Sequence, residues 1–406
     1  MRHAPLGSDM RKNVAILGST GSIGVNTLEV ITLHPDAFQV FGLSASTNLE
    51  LILYQCITFK PIFAVMASES HGRELKFKCK AQGLKTEVFW GNQAITDLAS
   101  HDSVDIVMAA IVGAAGLGPC LGAARSGKKL LLANKEALVV GGSLFMKEVE
   151  NGGAQLLPID SEHSAIFQSL PDDPHSWIDQ VDKIILTASG GPFRTYEWRN
   201  FSNVTVEQAC SHPNWIMGPK ISVDSATMMN KALEVIEAKF LFGLRPNQIE
   251  VVIHPQSVIH SMVQYKDNSI VAQLGTPDMK GPIAYGLSFP NRIESGASAI
   301  DFTKIAPLTF ESLDDNENRQ RFPGLALAWE VLDATDGTTA VLNAANEVAV
   351  SAFLDKKICF NQIHRVNLEV VNLIIPKKSS CLEDLLDLDR QCRNAAYKVV
   401  KRLQSY

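Results

Sequence analysis

The sequence predicts an α/β protein in three parts: strands and helices built on a parallel sheet, a mixed α/β segment, and a helical segment at the C-terminus. Two observations indicate this fold class. Short apolar runs alternate with helical stretches over the first 160 residues, and several runs are apolar at consecutive positions, as in strands buried on both faces of a parallel sheet. After Pro323 the patterns are helical. A chain of 406 residues suggests roughly two or three domains.

Apolar runs mark the strands of the first part. They cover residues 14–17, 38–43, 61–66, 87–90, 104–111, 129–133 and 156–159. A helical stretch follows the first run and ends at His34-Pro35, because proline cannot continue a helix. Strands and helices alternating at this spacing predict βαβ units.

The pattern changes between Asp160 and about Pro290. Strands are predicted there at residues 184–187, 251–253 and 257–265. The polar, acidic stretch 311–320 has the composition of a linker. Helices are predicted beyond it at about 325–334, 339–354, 362–375 and 382–403.

Composition and charge exclude several classes of protein. The formal net charge of −6 gives the chain no overall attraction to nucleic acid or anionic membrane. No apolar run approaches the ~18 residues of a membrane span, and the N-terminus has no apolar signal-peptide core. The seven cysteines are widely spaced without a CxxC pair, which favours reduced thiols and argues against a zinc ribbon. We therefore expect a cytoplasmic protein with neither a nucleic-acid nor a membrane partner.

Glycines follow the first strand and precede the first helix, at Gly18, Gly21 and Gly24. Such a turn lets a pyrophosphate approach the free N–H groups of the helix, although the GxxGxxG spacing also suits a plain strand–helix turn. The end of the second strand, residues 43–48, contains no acid to bind a ribose 2′-hydroxyl. NADP is therefore favoured over NAD.

A carboxylate pair follows the last strand of the first part, in Asp160-Ser161-Glu162-His163. In an extended segment the side chains of Asp160 and Glu162 would point the same way and could face one cation. The alternative is that Asp160 or Ser161 caps a helix beginning near Ser164, with Glu162 in its first turn.

A third carboxylate lies on the helix predicted from Asp224 or Ser225 onward. Met229, Leu233, Ile236 and Phe240 form its apolar stripe. The opposite face carries Thr227, Asn230, Lys231 and Glu234. This face is either a solvated surface with a Lys–Glu pair or the wall of a cleft, where oxygen ligands would suit Mg²⁺ or Mn²⁺.

Helix-breaking residues surround Trp215 in the loop 211–219. The loop is either an anchored surface segment or a lid that closes on substrate. His254 and His260 are close in sequence, but their spacing does not suit zinc, and we interpret both as structural.

The motifs occur in the order of one enzyme family. They are GSTGSIG at 18–24, MAAIVGAAGL at 108–117, LLANKEALV at 131–139, LLPIDSEHSAIFQSL at 156–170, TASGGPFR at 187–194, HPNWIMG at 212–218, KISVDSATMMNKALEVIEA at 220–238, IHPQSVIHSMV at 253–263 and LNAANEVAVSAFL at 342–354. From about Val14 to the last helix the chain closely resembles the 1-deoxy-D-xylulose 5-phosphate reductoisomerases, NADPH-dependent enzymes of the non-mevalonate isoprenoid pathway.

The resemblance implies a domain organisation. It comprises an N-terminal Rossmann-like NADPH-binding domain at 1–155, a central α/β catalytic and dimerisation domain at 156–292, a linker at 293–321 and a C-terminal α-helical bundle at 322–406. It also implies a bacterial, cytoplasmic homodimer. The implied reaction is the rearrangement and reduction of 1-deoxy-D-xylulose 5-phosphate to 2-C-methyl-D-erythritol 4-phosphate, by a ketol shift or a retro-aldol/aldol route.

The resemblance further implies roles for individual residues. The implied ligands of a divalent cation (Mn²⁺, Mg²⁺ or Co²⁺) are Asp160, Glu162 and Glu234, and the implied catalytic residues are Lys135, Glu162 and Lys231. The sugar-phosphate substrate would contact Lys135, Ser161, Glu162, Ser189, His212, Trp215, Ser225, Asn230, Lys231 and Glu234. NADPH would contact Gly18, Thr20, Gly21, Ser22, Ile23, Ser46, Asn48, Asn134, Glu136 and Gly218.

Three positions depart from the family pattern. Ser46 and Thr47 replace the glycine and basic residue that many relatives carry before Asn48, which removes a basic contact to the 2′-phosphate. Pro219 replaces a residue that is often basic. Two other functions stay open from the residues: an NADP-linked dehydrogenase whose carboxylates are helix caps, and a nucleotide-binding redox sensor without catalysis.

Overall fold

A computed structural model describes residues 11–215, 217–313 and 315–404. The first part is a seven-stranded parallel sheet in the order β4-β3-β2-β1-β5-β6-β7. Its strands are β1 (Lys12–Leu17), β2 (Phe38–Ala45), β3 (Phe63–Met66), β4 (Glu87–Trp90), β5 (Ile106–Ala109), β6 (Lys129–Leu132) and β7 (Gln155–Pro158). Its helices are α1 (Ser22–Leu33), α2 (Leu49–Phe59), α3 (Glu69–Ala81), α4 (Asn92–Ser100), α5 (Leu117–Arg125) and α6 (Lys135–Gly152). The strand order reverses between β1 and β5, as in a doubly wound Rossmann-like sheet.

The sheet is buried on both faces, which confirms the interpretation of its consecutive apolar positions. In β1 the side chains of Val14 and Ile16 pack on one side with α1, α2 and α3. Ala15 and Leu17 pack on the other side with α4, α5 and α6. The predicted first part also includes residues 1–10, which lie outside the described residues.

The middle part contains a second, four-stranded sheet in the order β11-β10-β8-β9. The elements are α7 (Ser161–Ser169), α8 (Trp177–Gln180), β8 (Val181–Ala188), α9 (Val206–Ala209), α10 (Pro219–Ala226), α11 (Met229–Phe242), β9 (Ile249–Ile253), β10 (Ile259–Tyr265), β11 (Ile270–Leu274) and α12 (Lys280–Ser288). The edge strand β11 is absent from the predicted strands. It pairs antiparallel with β10 after a tight turn in which Asn268 has a φ of 66°.

Helices dominate the last part, as predicted. They are α13 (Asn316–Arg321), α14 (Leu327–Asp333), α15 (Thr338–Leu354), α16 (Gln362–Leu373) and α17 (Leu382–Leu403). The stretch 311–320, with the composition of a linker, includes the start of α13, where Asp315 accepts a hydrogen bond from the Asn318 amide at 2.7 Å and caps the helix.

The C-terminal helices complete a core begun by the N-terminal sheet. Side chains of α15, α16 and α17 share one apolar cluster with α5 and α6 and with Val223 and Ala226 of α10. The segment that ends the chain therefore packs directly behind the elements that form the cleft described next. The domain boundaries at 155, 292 and 321 stay a prediction.

Candidate active site

A cleft of about 450 Å³ lies at the carboxyl ends of the parallel strands, facing the second sheet. The N-termini of α1, α6 and α7 and the junction of α10 with α11 form its walls. It is lined by every residue that the resemblance assigns to substrate or metal: Lys135, Asp160, Ser161, Glu162, Ser189, His212, Trp215, Ser225, Asn230, Lys231 and Glu234. Ligands bind at this edge of open α/β sheets.

Three carboxylates meet in the cleft. Ligand oxygens of Asp160, Glu162 and Glu234 all lie within 4.8 Å of one another. The capping alternative is wrong for Asp160, which occupies the N-cap position of α7 but makes no side-chain capping bond. The expected extended geometry is also wrong, since the helix begins at Ser161 and places Glu162 in its first turn. The two side chains nevertheless face the same space.

Two lysines bind these carboxylates. Lys135, the first residue of α6, forms an ion pair with Asp160 and lies 3.2 Å from Glu234 Oε1. Lys231 lies 2.8 Å from Glu162 Oε1 and also pairs with Glu234. Asn230 links Lys135 to Glu234, since its Oδ1 accepts a hydrogen bond from Lys135 Nζ at 3.0 Å and its Nδ2 donates one to the Glu234 carboxylate.

Burial and neighbouring charges shift the pKa values of the residues in this cluster in different directions. Burial and the neighbouring charge of Glu162 raise the pKa of Glu234 to about 7, although Lys231 and Lys135 oppose this shift. Burial also acts to raise the pKa of Glu162, but Lys231 outweighs it and holds that pKa below its usual range. Burial disfavours the charged form of Lys135, yet Asp160 and Glu234 raise its pKa. Glu162 is therefore ionised and Lys135 is an ammonium ion at neutral pH.

A polar corner beside the carboxylates contains Ser189, Ser225 and Lys231. Ser189 follows β8, whereas Ser225 lies on α10 and Lys231 on α11. Two residues, Thr227 and Met228, separate the two helices. Met228 has a left-handed φ of 62° and is buried at 2% exposure. The continuous helix predicted from Asp224 or Ser225 is therefore wrong, and the break turns both helices toward the same corner.

His212 organises the loop that carries Trp215. Its Nδ1 accepts the backbone N–H groups of Asn214 at 3.1 Å and Trp215 at 2.9 Å. The proton of the neutral ring must then reside on Nε2, which donates to Ser189 Oγ at 2.9 Å. Ser189 Oγ also accepts from the Gly191 amide at 3.1 Å, so its own hydroxyl proton is available to an acceptor in the cleft.

Trp215 is half-buried and belongs to none of the apolar clusters of the described residues. Its ring lies 6.5 Å from that of His260, between centroids. Ile216, part of the predicted lid, lies outside the described residues.

The glycine turn brings the backbone close to its neighbours. A Cβ atom at Gly18 would lie 2.6 Å from the Ala110 carbonyl oxygen, and one at Gly24 would lie 2.4 Å from Ser19 Cα. Gly21 is the N-cap of α1, has no side-chain capping bond and is followed by no acid in the first turn. The first N–H groups of α1 are thus open toward the cleft, which Ser22 and Ile23 line.

The other predicted cofactor residues lie at different places around this edge. Gly218 lines the cleft. Ser46 and Asn48 are exposed after β2, and Asn48 Oδ1 caps α2. Thr20 lies in the glycine turn. Asn134 and Glu136 are buried at the start of α6, outside the cleft lining.

The two histidines of the HPQSVIHS segment have different environments. His254 is structural, as predicted, because its Nε2 accepts the N–H groups of Val258 and Ile259, each at 3.2 Å. His260 is buried and lines the cleft wall next to Ile259, and its structural role stays a prediction. Asn214, Ser257 and Asp278 also line the cleft and were missed.

Comparisons with known proteins place this arrangement in one family. Models of the family described as 1-deoxy-D-xylulose 5-phosphate reductoisomerase match residues 14–142, 156–242 (C-terminal domain) and 274–395 (also C-terminal domain). The chain belongs to this reductoisomerase family. The reductoisomerase of Paraburkholderia xenovorans is 52% identical over 394 residues, covering 97% of each chain. That of Dechloromonas aromatica is 51% identical over 397 residues, covering 97% of this chain and 99% of the relative.

Solved structures of reductoisomerases agree with this assignment. One, in complex with NADPH, fosmidomycin and magnesium, has a TM-score of 0.91 and 41% identity, covering 96% of this chain and 98% of the other. The enzyme from Zymomonas mobilis with NADPH has a TM-score of 0.89 and 43% identity, covering 97% and 100%. In the part of the chain that the structure describes, we find no helix long and apolar enough to cross a membrane.

Proposed function

We propose that the chain converts 1-deoxy-D-xylulose 5-phosphate to 2-C-methyl-D-erythritol 4-phosphate, with NADPH as reductant and a divalent cation. The observation that carries this proposal is the convergence, in one cleft, of three carboxylates and a corner of hydroxyl, amide and ammonium groups. A ketose phosphate needs both, because its ketone and hydroxyl oxygens require a Lewis acid and its phosphate requires fixed donors.

Asp160, Glu162 and Glu234 are the proposed metal ligands. Their carboxylate oxygens are the donors that hard cations such as Mg²⁺ and Mn²⁺ prefer. When all three are ionised, these carboxylates exceed the charges of Lys135 and Lys231 by one, and a bound divalent cation would favour that ionised form. The residues therefore fit the group.

When bound, the cation supplies Lewis acidity at the substrate oxygens and NADPH supplies a hydride. The chain's own residues orient the substrate and stabilise charge. Lys135 holds its proton, so its Nζ can donate to an oxygen on which negative charge develops during carbon migration. Ser161 Oγ donates to Glu162 Oε2 at 2.7 Å and fixes that carboxylate.

Ser189, Ser225, Asn230 and Lys231 are the proposed donors to the substrate phosphate. The free hydroxyl proton of Ser189 and the ammonium of Lys231 supply hydrogen bonds of the kind that phosphates accept strongly. Because the phosphate does not react, its binding energy can serve to position the reacting carbons. His212 and Trp215 would close over this assembly and exclude water.

NADPH is proposed to lie across the glycine turn. The close approaches at Gly18 and Gly24 and the uncapped start of α1 fit a pyrophosphate. The exposed Ser46, Thr47 and Asn48 at the end of β2 offer hydrogen bonds to a 2′-phosphate without a repelling acid.

The test is NADPH oxidation with 1-deoxy-D-xylulose 5-phosphate, in chelator-treated buffer with and without Mn²⁺. Turnover that depends on both additions, with 2-C-methyl-D-erythritol 4-phosphate as product, is expected. Oxidation that proceeds equally well without a divalent cation would favour the plain dehydrogenase instead.

We also propose a homodimer in the bacterial cytoplasm. Edge strand β11 exposes Ile270 and Val271 at 52% and 45%, and an exposed apolar edge strand readily pairs with another chain. The cysteines are all unpaired, which suits a reducing compartment. Light scattering should give the dimer mass for the parent and for the control Phe77→Lys, which changes an exposed apolar residue on α3. Val271→Lys should shift the mass toward the monomer, and an unchanged mass would contradict this interface.

A further inference from the structure

A continuous chain of buried polar groups joins the C-terminal bundle to the cleft. Asn367 on α16 donates to Asn346 Oδ1 on α15 at 3.0 Å. Asn346 in turn donates to Asp224 Oδ1 on α10 at 2.7 Å. All three side chains are at most 1% exposed. Buried polar groups connected in this way hold one another in defined positions.

This network of buried polar side chains extends to the start of α6. Lys220 Nζ lies 2.8 Å from Asp224 Oδ2 and 2.6 Å from Glu136 Oε1. Burial disfavours the charge of Lys220, but the Asp224 and Glu136 carboxylates outweigh it and raise its pKa. Glu136 directly follows Lys135. The network therefore touches both α10, which carries Ser225, and the helix that carries Lys135.

Besides the packing of Val223 and Ala226 in the apolar core, polar contacts orient helix α10. It comprises only the eight residues Pro219–Ala226, follows the loop that carries Trp215, and begins without a side-chain capping bond. Gly191 packs against the Ser225 carbonyl oxygen, which would lie 2.8 Å from a Cβ atom at that glycine. The neighbouring Asp224 accepts a hydrogen bond from the Asn346 amide. The end of α10 that carries Ser225 is thus held by Gly191 and by the C-terminal bundle.

We propose that Asn346 is a positioning residue for phosphate binding, acting through Asp224 to fix α10 and the Ser225 hydroxyl. This inference rests on the proposed function, in which Ser225 binds the substrate phosphate. Removal of the Asn346 amide leaves a buried carboxylate oxygen of Asp224 without its donor, which is unfavourable. Asp224 then keeps only its contact with Lys220, which lies on α10 itself. We therefore expect α10 to lose its polar anchor to α15 and the Ser225 hydroxyl to shift from the corner.

The experiment measures phosphate binding separately from turnover. Inorganic phosphate is titrated into protein free of metal and cofactor and followed by ³¹P NMR. The KM and kcat for 1-deoxy-D-xylulose 5-phosphate are then measured on the same preparations after NADPH and Mn²⁺ are added. For Asn346→Leu we expect the phosphate Kd and the substrate KM to rise about fivefold to tenfold, with kcat within about twofold. The KM for NADPH should be unchanged.

The matched control is Thr339→Val. Thr339 lies on the same helix and is buried, but its side chain donates to the Val139 carbonyl of α6 at 2.8 Å rather than to α10. This variant loses one buried hydrogen bond and should keep the parent phosphate Kd. A double-mutant cycle with Ser225→Ala tests the route, because the Asn346→Leu effect should largely disappear when the Ser225 hydroxyl is absent.

The outcomes separate the two proposals. Parent protein that binds phosphate but does not turn over the ketose phosphate overturns the proposed function, and the binding data still decide the role of Asn346. Active parent protein with an unchanged phosphate Kd in Asn346→Leu overturns the positioning role. So does an equal loss in Thr339→Val, or full additivity with Ser225→Ala. Asn346→Ser is judged by the same criteria if the leucine variant does not fold.

Discussion

Neutralising Glu234 should stabilise the metal-free protein while abolishing its activity. Glu234 is fully buried, and its pKa is raised from 4.5 to about 7. At ~1.36 kcal/mol per pKa unit, ionising this side chain in the folded state costs roughly 3 kcal/mol. The pKa of Glu234 is higher in the folded protein than in the unfolded chain. The free energy of unfolding therefore falls as the pH rises from 4.5 to about 7. Glu234→Gln has no carboxyl group at this position, so its free energy of unfolding does not fall in this way.

The assay is differential scanning calorimetry in chelator-treated buffer. With an unfolding entropy of ~2.1 cal/mol/K per residue, roughly 3 kcal/mol corresponds to an increase in Tm of about 4 °C for a chain of this length. Glu234→Gln should show this increase at pH 8, and the increase should shrink toward pH 5. Turnover should fall by orders of magnitude while NADPH still binds.

Glu162→Gln is the matched control, because the same substitution in the same cluster should have the opposite sign. Lys231 holds the pKa of Glu162 below its usual range, so its ionised form stabilises the fold. We therefore expect a lower Tm for Glu162→Gln at pH 8. Equal decreases in both variants would refute the electrostatic reasoning and show that hydrogen-bond geometry dominates the cluster.

Three further substitutions test other parts of the site. Trp215→Ala should leave the Tm nearly unchanged but lower kcat/KM for the ketose phosphate at least ~tenfold, whereas loss of a core tryptophan would destabilise the fold by about 3–5 kcal/mol. Thr47→Lys should widen the preference for NADPH over NADH, measured as the ratio of kcat/KM values, through a charge-assisted contact to the 2′-phosphate; an unchanged ratio would place that phosphate elsewhere. Gly24→Ala should weaken NADPH binding in a fluorescence titration, because its Cβ would lie 2.4 Å from Ser19 Cα; parent-like affinity would contradict the close packing of the turn.

Much of the fold could be predicted because burial on both sheet faces leaves a direct mark in the sequence. The runs at 87–90 and 129–133 correspond to β4 and β6 within one residue. Strand β11 was missed because its stability comes from pairing with β10, and its own residues are only half-buried or exposed.

The carboxylates and lysines of the site could be named from motifs, but their arrangement could not. The apolar stripe Met229, Leu233 and Ile236 is buried as predicted. The break before it was not predictable from local signals, because Met228 adopts a left-handed conformation that glycine or asparagine would normally mark. Contacts distant in sequence, such as Asn346 with Asp224, have no periodic signal at all.

The packing of α15 and α17 against α6 has a consequence for synthesis on the ribosome. The N-terminal sheet and α11 emerge first, and at ~5–20 residues per second the final helix follows roughly ten to thirty seconds later. During that interval the part of α6 that α15 covers in the finished protein is exposed, and the nascent chain offers a binding surface to chaperones. A chain interrupted by a premature stop codon before α15 would retain that exposed face, and it would be a target for proteolysis rather than a partly active enzyme.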